Sequence, residues 1–249
     1  MLLLRSLVFQ FYFYASVGIA ALLVFVLWPA PFVARSTVAR WWGKSMLAVG
    51  RAVCGLDYVI EGVENIPTEP SVIMIKHTTV FETYMQLAVF PPQTWVVKRE
   101  LKWVPIFGWG LAAMCPIAIN RSAGREAVTQ VIEQGRERLE KGIWVTIFPE
   151  GTRVPAGKTK KYGVSGAALA RDAQCPIVPV AHNAGDLWPR RGLKKRPGLI
   201  RFCIGPPILP SGLRPKETNV IVQDWVEGKM REISNRYAPV DDAEKSVTE

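Results

Sequence analysis

The chain has 249 residues, 31 of them basic and 21 acidic, giving a net charge of +10, with 49% hydrophobic residues. That length supports a substantial α/β core, as one large domain or two small ones. The excess positive charge implies an anionic partner, and its coupling to the most apolar part of the chain favours lipid head groups over nucleic acid.

The first 56 residues carry Arg5, Arg35, Arg40, Lys44 and Arg51 and no Asp or Glu, so half of the net charge lies there. From Leu7 to Val33 there is no charged residue, which predicts an apolar helix over 7–33, long enough for a hydrocarbon core of about 30 Å. A basic amphipathic helix is predicted over 35–54. Val38, Trp42, Met46, Val49 and Val53 share its apolar face, Arg40, Lys44 and Arg51 line the other, and Leu47 is the exception on the basic side. Such a helix can lie in the interface or pack on the rest of the protein. The basic residues after the first helix place the remainder on the cytoplasmic side of a membrane, whether that helix spans or is half-embedded.

After Asp57 the pattern changes to short apolar runs, which predict strands at 58–61, 72–75, 94–97, 116–119, 144–148, 177–180 and 200–204. Helices are predicted just after His77, over 125–141 and 164–173, and from about 219 to 236. The expected architecture is α/β: membrane-attaching helices in residues 1–56, a mixed sheet flanked by helices in residues 57–240, and a frayed acidic tail over 241–249. Cys54, Cys115, Cys175 and Cys203 are widely spaced, with no CxxC and no Cys/His pairing. They read as buried thiols in a reducing compartment, and no metal-ligand cluster is visible.

Only two histidines are present, so a neutral-pH base has few candidates. His77 follows an apolar strand, where side chains project into a crevice at the end of a sheet. Glu82 comes five residues later. On one ideal helix the two would be about 140° apart, so they meet only if His77 lies in the turn before the helix. A carboxylate on one ring nitrogen would then fix the tautomer and stabilise the imidazolium. A second cluster, Phe148-Pro149-Glu150-Gly151-Thr152-Arg153, ends the strongest strand with a turn and a guanidinium suited to phosphate. Gly163-Val164-Ser165-Gly166-Ala167 approximates the nucleophile elbow of serine hydrolases.

Taken together, His77-x4-Glu82 and Phe148–Arg153 resemble the first and third motifs of the glycerolipid acyltransferase family, to which bacterial 1-acylglycerol-3-phosphate acyltransferases belong. Lys98-x-Glu100-Leu101, Pro105, Gly108 and Asn120-Arg121 resemble the second, and Ile177-Val178-Pro179-Val180 the fourth. The likeness covers residues 58–210, and Glu82 stands where Asp is usual. It implies His77 as base and Glu82 as its orienting partner. Lys98, Arg121 and Arg153 would hold the acceptor's phosphate, with Glu150, Gly151 and Thr152 at the glycerol site. It implies transfer of an acyl chain from an acyl-CoA or acyl carrier protein thioester, with no cofactor. The implied acceptor is a lysophospholipid, 1-acyl-sn-glycerol-3-phosphate, and the implied product phosphatidic acid, made at a phospholipid membrane, the bacterial inner membrane. The basic stretch from Arg190 to Arg196 would meet the donor or the bilayer. Other lyso-lipids, glycerol-3-phosphate, a serine hydrolase and a non-catalytic membrane-binding protein are the alternatives.

Overall fold

The computed structural model describes residues 1–120, 123–190 and 192–237, so the tail over 241–249 lies outside the described residues. Its core is a seven-stranded sheet in the order β1-β7-β6-β2-β5-β3-β4. The strands are β1 (Leu56–Glu61), β2 (Val72–Ile75), β3 (Gln93–Lys98), β4 (Ile117–Ile119), β5 (Trp144–Ile147), β6 (Ile177–His182) and β7 (Gly198–Ile204). Every neighbouring pair is parallel except β6 and β7, which is the expected mixed sheet.

The strands are apolar on both sides because both faces are covered by helices. One face sends Val72, Met74, Val145, Ile147 and Ile177 against α5 (Arg125–Glu140), α6 (Ser165–Asp172) and α8 (Pro215–Ile233). The alternate residues, Ile73, Ile75, Val178 and Val180, pack on α1 (Leu2–Val26), α2 (Phe32–Cys54) and α3 (Phe81–Val89). Two short helices, α4 (Phe107–Ala113) and α7 (Ala184–Leu187), complete the set among the described residues. Neither was expected from periodicity, since each is at most two turns long.

The amino-terminal segment differs from expectation in three ways. α1 begins at Leu2 and ends at Val26 rather than spanning 7–33, because Pro29 and Pro31 break the helix. Among the described residues it alone is long and apolar enough to cross a bilayer. It nevertheless lies along the catalytic layer for most of its length. Near its start the Lys195 amide donates to Ser6 Oγ (2.9 Å) and Phe9 meets Trp188 edge-on; near its end Phe25 meets Trp109. Second, the inward face of α2 is a stripe of Ala39, Gly43, Met46, Leu47, Gly50 and Cys54, so Leu47 is core and not an exception. Third, Arg35 is buried and donates to the Ala113 carbonyl (2.6 Å), and Arg40 donates to that of Phe90 (2.6 Å). These two arginines tie α2 to the domain instead of facing lipid. Of the cysteines, Cys54, Cys175 and Cys203 are buried and Cys115 is only partly so.

Gly43 sets the α2–α3 spacing, since a Cβ there would stand 2.6 Å from the Tyr84 carbonyl oxygen. Gly43→Ala should therefore destabilise the protein by about 1–3 kcal/mol, because backbone cannot easily move aside. Gly228→Ala is the control: its Cβ meets nothing within 4 Å, so it should stabilise by about 0.5–1 kcal/mol through helix propensity alone. Denaturant midpoints of the two variants in detergent test the contrast.

Candidate active site

Strand register brings the chemistry together. Met74 is paired with Ile147 of β5 and Pro179 of β6. Continuing both registers three residues places His77 level with Glu150 and His182, at the carboxyl ends of three adjacent parallel strands. Side chains at that edge of an α/β sheet point into a common crevice.

His77 occupies the turn between β2 and α3, and Glu82 lies in the first turn of α3. His77 Nδ1 is 2.7 Å from Glu82 Oε1, so the five-residue spacing is bridged as the turn geometry requires. The same carboxylate accepts from the amides of Thr78 and Thr79 (both 2.9 Å) and from Thr79 Oγ1 (2.6 Å). It has no exposed side-chain surface. Burial alone would raise its pKa; the neighbouring His182 and His77 and the hydrogen bonds from His77 and Thr79 more than reverse this and hold it at about 2. Its folded pKa lies below the ordinary 4.5, so the stabilisation is present above pH 4.5 and is lost as pH falls toward 2. With Nδ1 engaged and the ring stacked on Phe148 (4.1 Å between centroids), Nε2 is the nitrogen left to act.

The peptide unit joining Lys76 to His77 is gripped at both polar ends. Its N–H donates to Glu150 Oε2 (2.8 Å), and its carbonyl lies 2.8 Å from Nε2 of His182. A carbonyl only accepts, so His182 carries its proton on Nε2. Burial, opposed by Glu82, lowers the His182 pKa and keeps the ring neutral. Behind this grip is a buried ionic cluster. Lys76 Nζ is 2.9 Å from Glu150 Oε1 and 2.7 Å from Glu227 Oε1 of α8, and Tyr162 donates to Glu227 (3.1 Å). Burial would lower the Lys76 pKa, but the Glu150 and Glu227 carboxylates hold it above the usual lysine value. Burial pushes Glu150 up, against the pull of Lys76.

His77, Phe148 and Arg153 line one part of a cavity of about 650 Å³. Phe13, Tyr14 and Val17 of α1 and Trp42 of α2 form part of its wall, and Leu101, Phe107 and Leu111 another. Of the site residues expected from sequence, His77, Glu82 and Arg153 are thus gathered at one place. Glu150 is close but turned inward, fully buried, because it neutralises Lys76; it does not face the acceptor. Gly151 has φ +68°, the left-handed turn that lets Arg153 double back to the cavity. Thr152 is exposed, and Lys98 is exposed at the end of β3 without lining the cavity. Arg121 lies outside the described residues, as does Arg191. In the basic stretch, Lys195 is buried over the rings of Trp188 (4.5 Å) and Phe9 (5.2 Å), so it meets neither donor nor bilayer. No strand leads into Ser165, which opens α6 after an irregular run, so the nucleophile elbow does not form. Sequence reasoning missed Lys76, His182 and Glu227. A lysine closing a fully apolar strand was the available signal for the first, and only register reveals the second.

Comparison with known proteins bears on the family and the fold. The profile of the Acyltransferase family matches residues 57–183. The 1-acyl-sn-glycerol-3-phosphate acyltransferase of Pseudomonas aeruginosa is 42% identical, covering 98% of this chain and 97% of that protein. The protein of the same name from Saccharomyces cerevisiae is 29% identical over 70% of this chain and 59% of its own length. The crystal structure of the 1-acyl-sn-glycerophosphate (LPA) acyltransferase PlsC from Thermotoga maritima superposes with a TM-score of 0.77 at 22% identity, over 93% of this chain and 95% of that one, and shows the fold. On these grounds the chain belongs to the Acyltransferase family.

Proposed function

We propose that this enzyme transfers an acyl chain from a thioester to the sn-2 hydroxyl of 1-acyl-sn-glycerol-3-phosphate, giving phosphatidic acid. The observation that carries the reading is the His77–Glu82 pair (2.7 Å) placed with Arg153 in a cavity walled by apolar side chains. The full-length match to the Pseudomonas aeruginosa enzyme supports the choice of acceptor. His77 Nε2 takes the proton of the acceptor hydroxyl as its oxygen attacks the thioester carbonyl. The departing thiolate then takes that proton back from the imidazolium. Buried, ionised Glu82 stabilises the imidazolium in between. Arg153 supplies a planar cation for the phosphate, and the apolar walls suit acyl chains. The acyl donor is a substrate, as acyl-CoA or acyl carrier protein.

Residues 1–56 act as the attachment unit and residues 57–240 as the catalytic unit, although α1 and α2 also build the cavity wall. Contacts along most of α1 favour a helix lying in one leaflet beside the domain over one that crosses. Phe11 is 77% exposed and Leu4 66%, an apolar face that suits lipid and not water. The catalytic unit then sits on the cytoplasmic face of the bacterial inner membrane.

His77→Ala should lower kcat by about 10²–10⁴-fold with the fold intact; turnover at the wild-type rate would exclude His77 as the base. Arg153→Ala should raise KM for the phosphate-bearing acceptor and leave KM for an uncharged monoacylglycerol unchanged. Lys76→Met leaves Glu150 and Glu227 buried without their cation, so stability should fall by about 3–5 kcal/mol, read as a shift in denaturant midpoint. Retained stability would show that the ionic cluster does not hold the site together.

A further inference from the structure

We propose that residues 101–109, between β3 and α4, form a second membrane-inserting element that docks on anionic phospholipid beside the mouth of the cavity. The idea rests on the reading of α1 as a lipid-facing helix but concerns a part of the chain remote from it in sequence.

Within these nine residues all six large apolar side chains keep exposed surface. Trp103 is 85% exposed, and Leu101, Val104, Ile106, Phe107 and Trp109 are each more than a third exposed. A water-facing connection does not present such an array. The array is also built rather than slack. The Gly108 amide donates to the Val104 carbonyl (2.6 Å), and a Cβ on Gly108 would lie 2.3 Å from the Lys102 carbonyl oxygen. Ile106 is held at φ +63°, ψ −61° in a γ-turn closed by Phe107 N–H to the Pro105 carbonyl (2.7 Å). That conformation is strained for a β-branched residue. Strain at an exposed apolar position points to a role outside the protein's own packing.

Charge and continuity name the occupant. Lys98, Arg99 and Lys102 are exposed beside the apolar tip, and Glu100 offsets only Arg99, at 3.6 Å. Basic residues flanking exposed tryptophans match an interface of anionic head groups over acyl chains. The Trp109 ring is 5.7 Å from Phe25 of α1, and Gly110 abuts Ala21, so this segment and α1 form one apolar surface. Because Leu101 and Phe107 also line the cavity, the two elements flank its opening. Insertion of both would let a one-tailed acceptor slide in from the leaflet without leaving it.

The test uses the full chain and vesicles of phosphatidylethanolamine and phosphatidylglycerol. With brominated acyl chains in the phosphatidylglycerol, tryptophan emission of Trp103→Phe should be quenched less than that of wild type. The double variant Trp103→Ser/Ile106→Ser should raise the apparent KM for vesicle-borne acceptor by about tenfold, with unchanged turnover of a short-chain acceptor dissolved below its micelle concentration. Equal quenching, an unchanged vesicle KM, an equal loss on the dissolved acceptor, or a variant that alters only self-association in detergent would each overturn the proposal. Absence of turnover by wild type on either acceptor would sink the acceptor reading instead, while the quenching would still report on insertion.

Discussion

A single peptide unit, the one between Lys76 and His77, carries the geometry of the site. Neither of its polar groups is satisfied by the sheet: the N–H is taken by the Glu150 carboxylate and the carbonyl by the His182 imidazole. A buried amide left without partners is costly, so this peptide has one well-satisfied orientation, and His77 inherits it. The requirement propagates outward. Glu150 can remain buried because Lys76 neutralises it, Lys76 because Glu227 shares it, and Glu227 because Tyr162 donates to it. Breaking such a network by removing one partner leaves a buried charge uncompensated, so each member constrains the next.

The two faces of the sheet divide the labour. The ionic cluster reaches toward α8, against the layer of α5 and α6, whereas the cavity opens toward α1 and α2. His77 sits where these meet, with a polar scaffold behind it and an apolar chamber in front. This separation lets a buried charge network coexist with a lipid-facing entrance. Excluding water on the chamber side also strengthens the attraction between Glu82 and a protonated His77.

The seven strands were legible because strands buried on both faces are short continuous apolar runs, and helix α5 because its period was clear over sixteen residues. The nearness of His77 and Phe148–Arg153 followed from motifs at strand ends. What escaped was set by tertiary partners. Arg40 looked like part of the basic face of an amphipathic helix, yet the Phe90 carbonyl takes its guanidinium. Lys195 looked like one of a basic run, yet it lies between two aromatic rings. Glu150 looked like a substrate ligand because it lies in the motif that the family resemblance places at the glycerol site, while the fold turns it toward Lys76. In each case the identity of a charged residue gave its chemistry, and the direction of its side chain depended on elements far away in the chain.

The glutamate at position 82, a departure from the His-x4-Asp motif that the sequence resembles, sits in a well-defined local setting. Thr79-Val80-Phe81-Glu82 has the Thr-x-x-Glu spacing of a capping box, but Val80 is the residue before α3 and only the return bond from the glutamate forms as in that motif. Thr79 Oγ1 accepts from the Phe81 amide (2.8 Å), and Glu82 reaches back to the Thr79 amide (2.9 Å). One carboxylate oxygen meets Thr78, Thr79 and His77 at once. Its charge also complements the positive end of the α3 dipole. The residue that orients the base therefore also holds the turn that enters α3, because one carboxylate takes both the Thr78 and Thr79 amides and the imidazole, at 2.9, 2.9 and 2.7 Å.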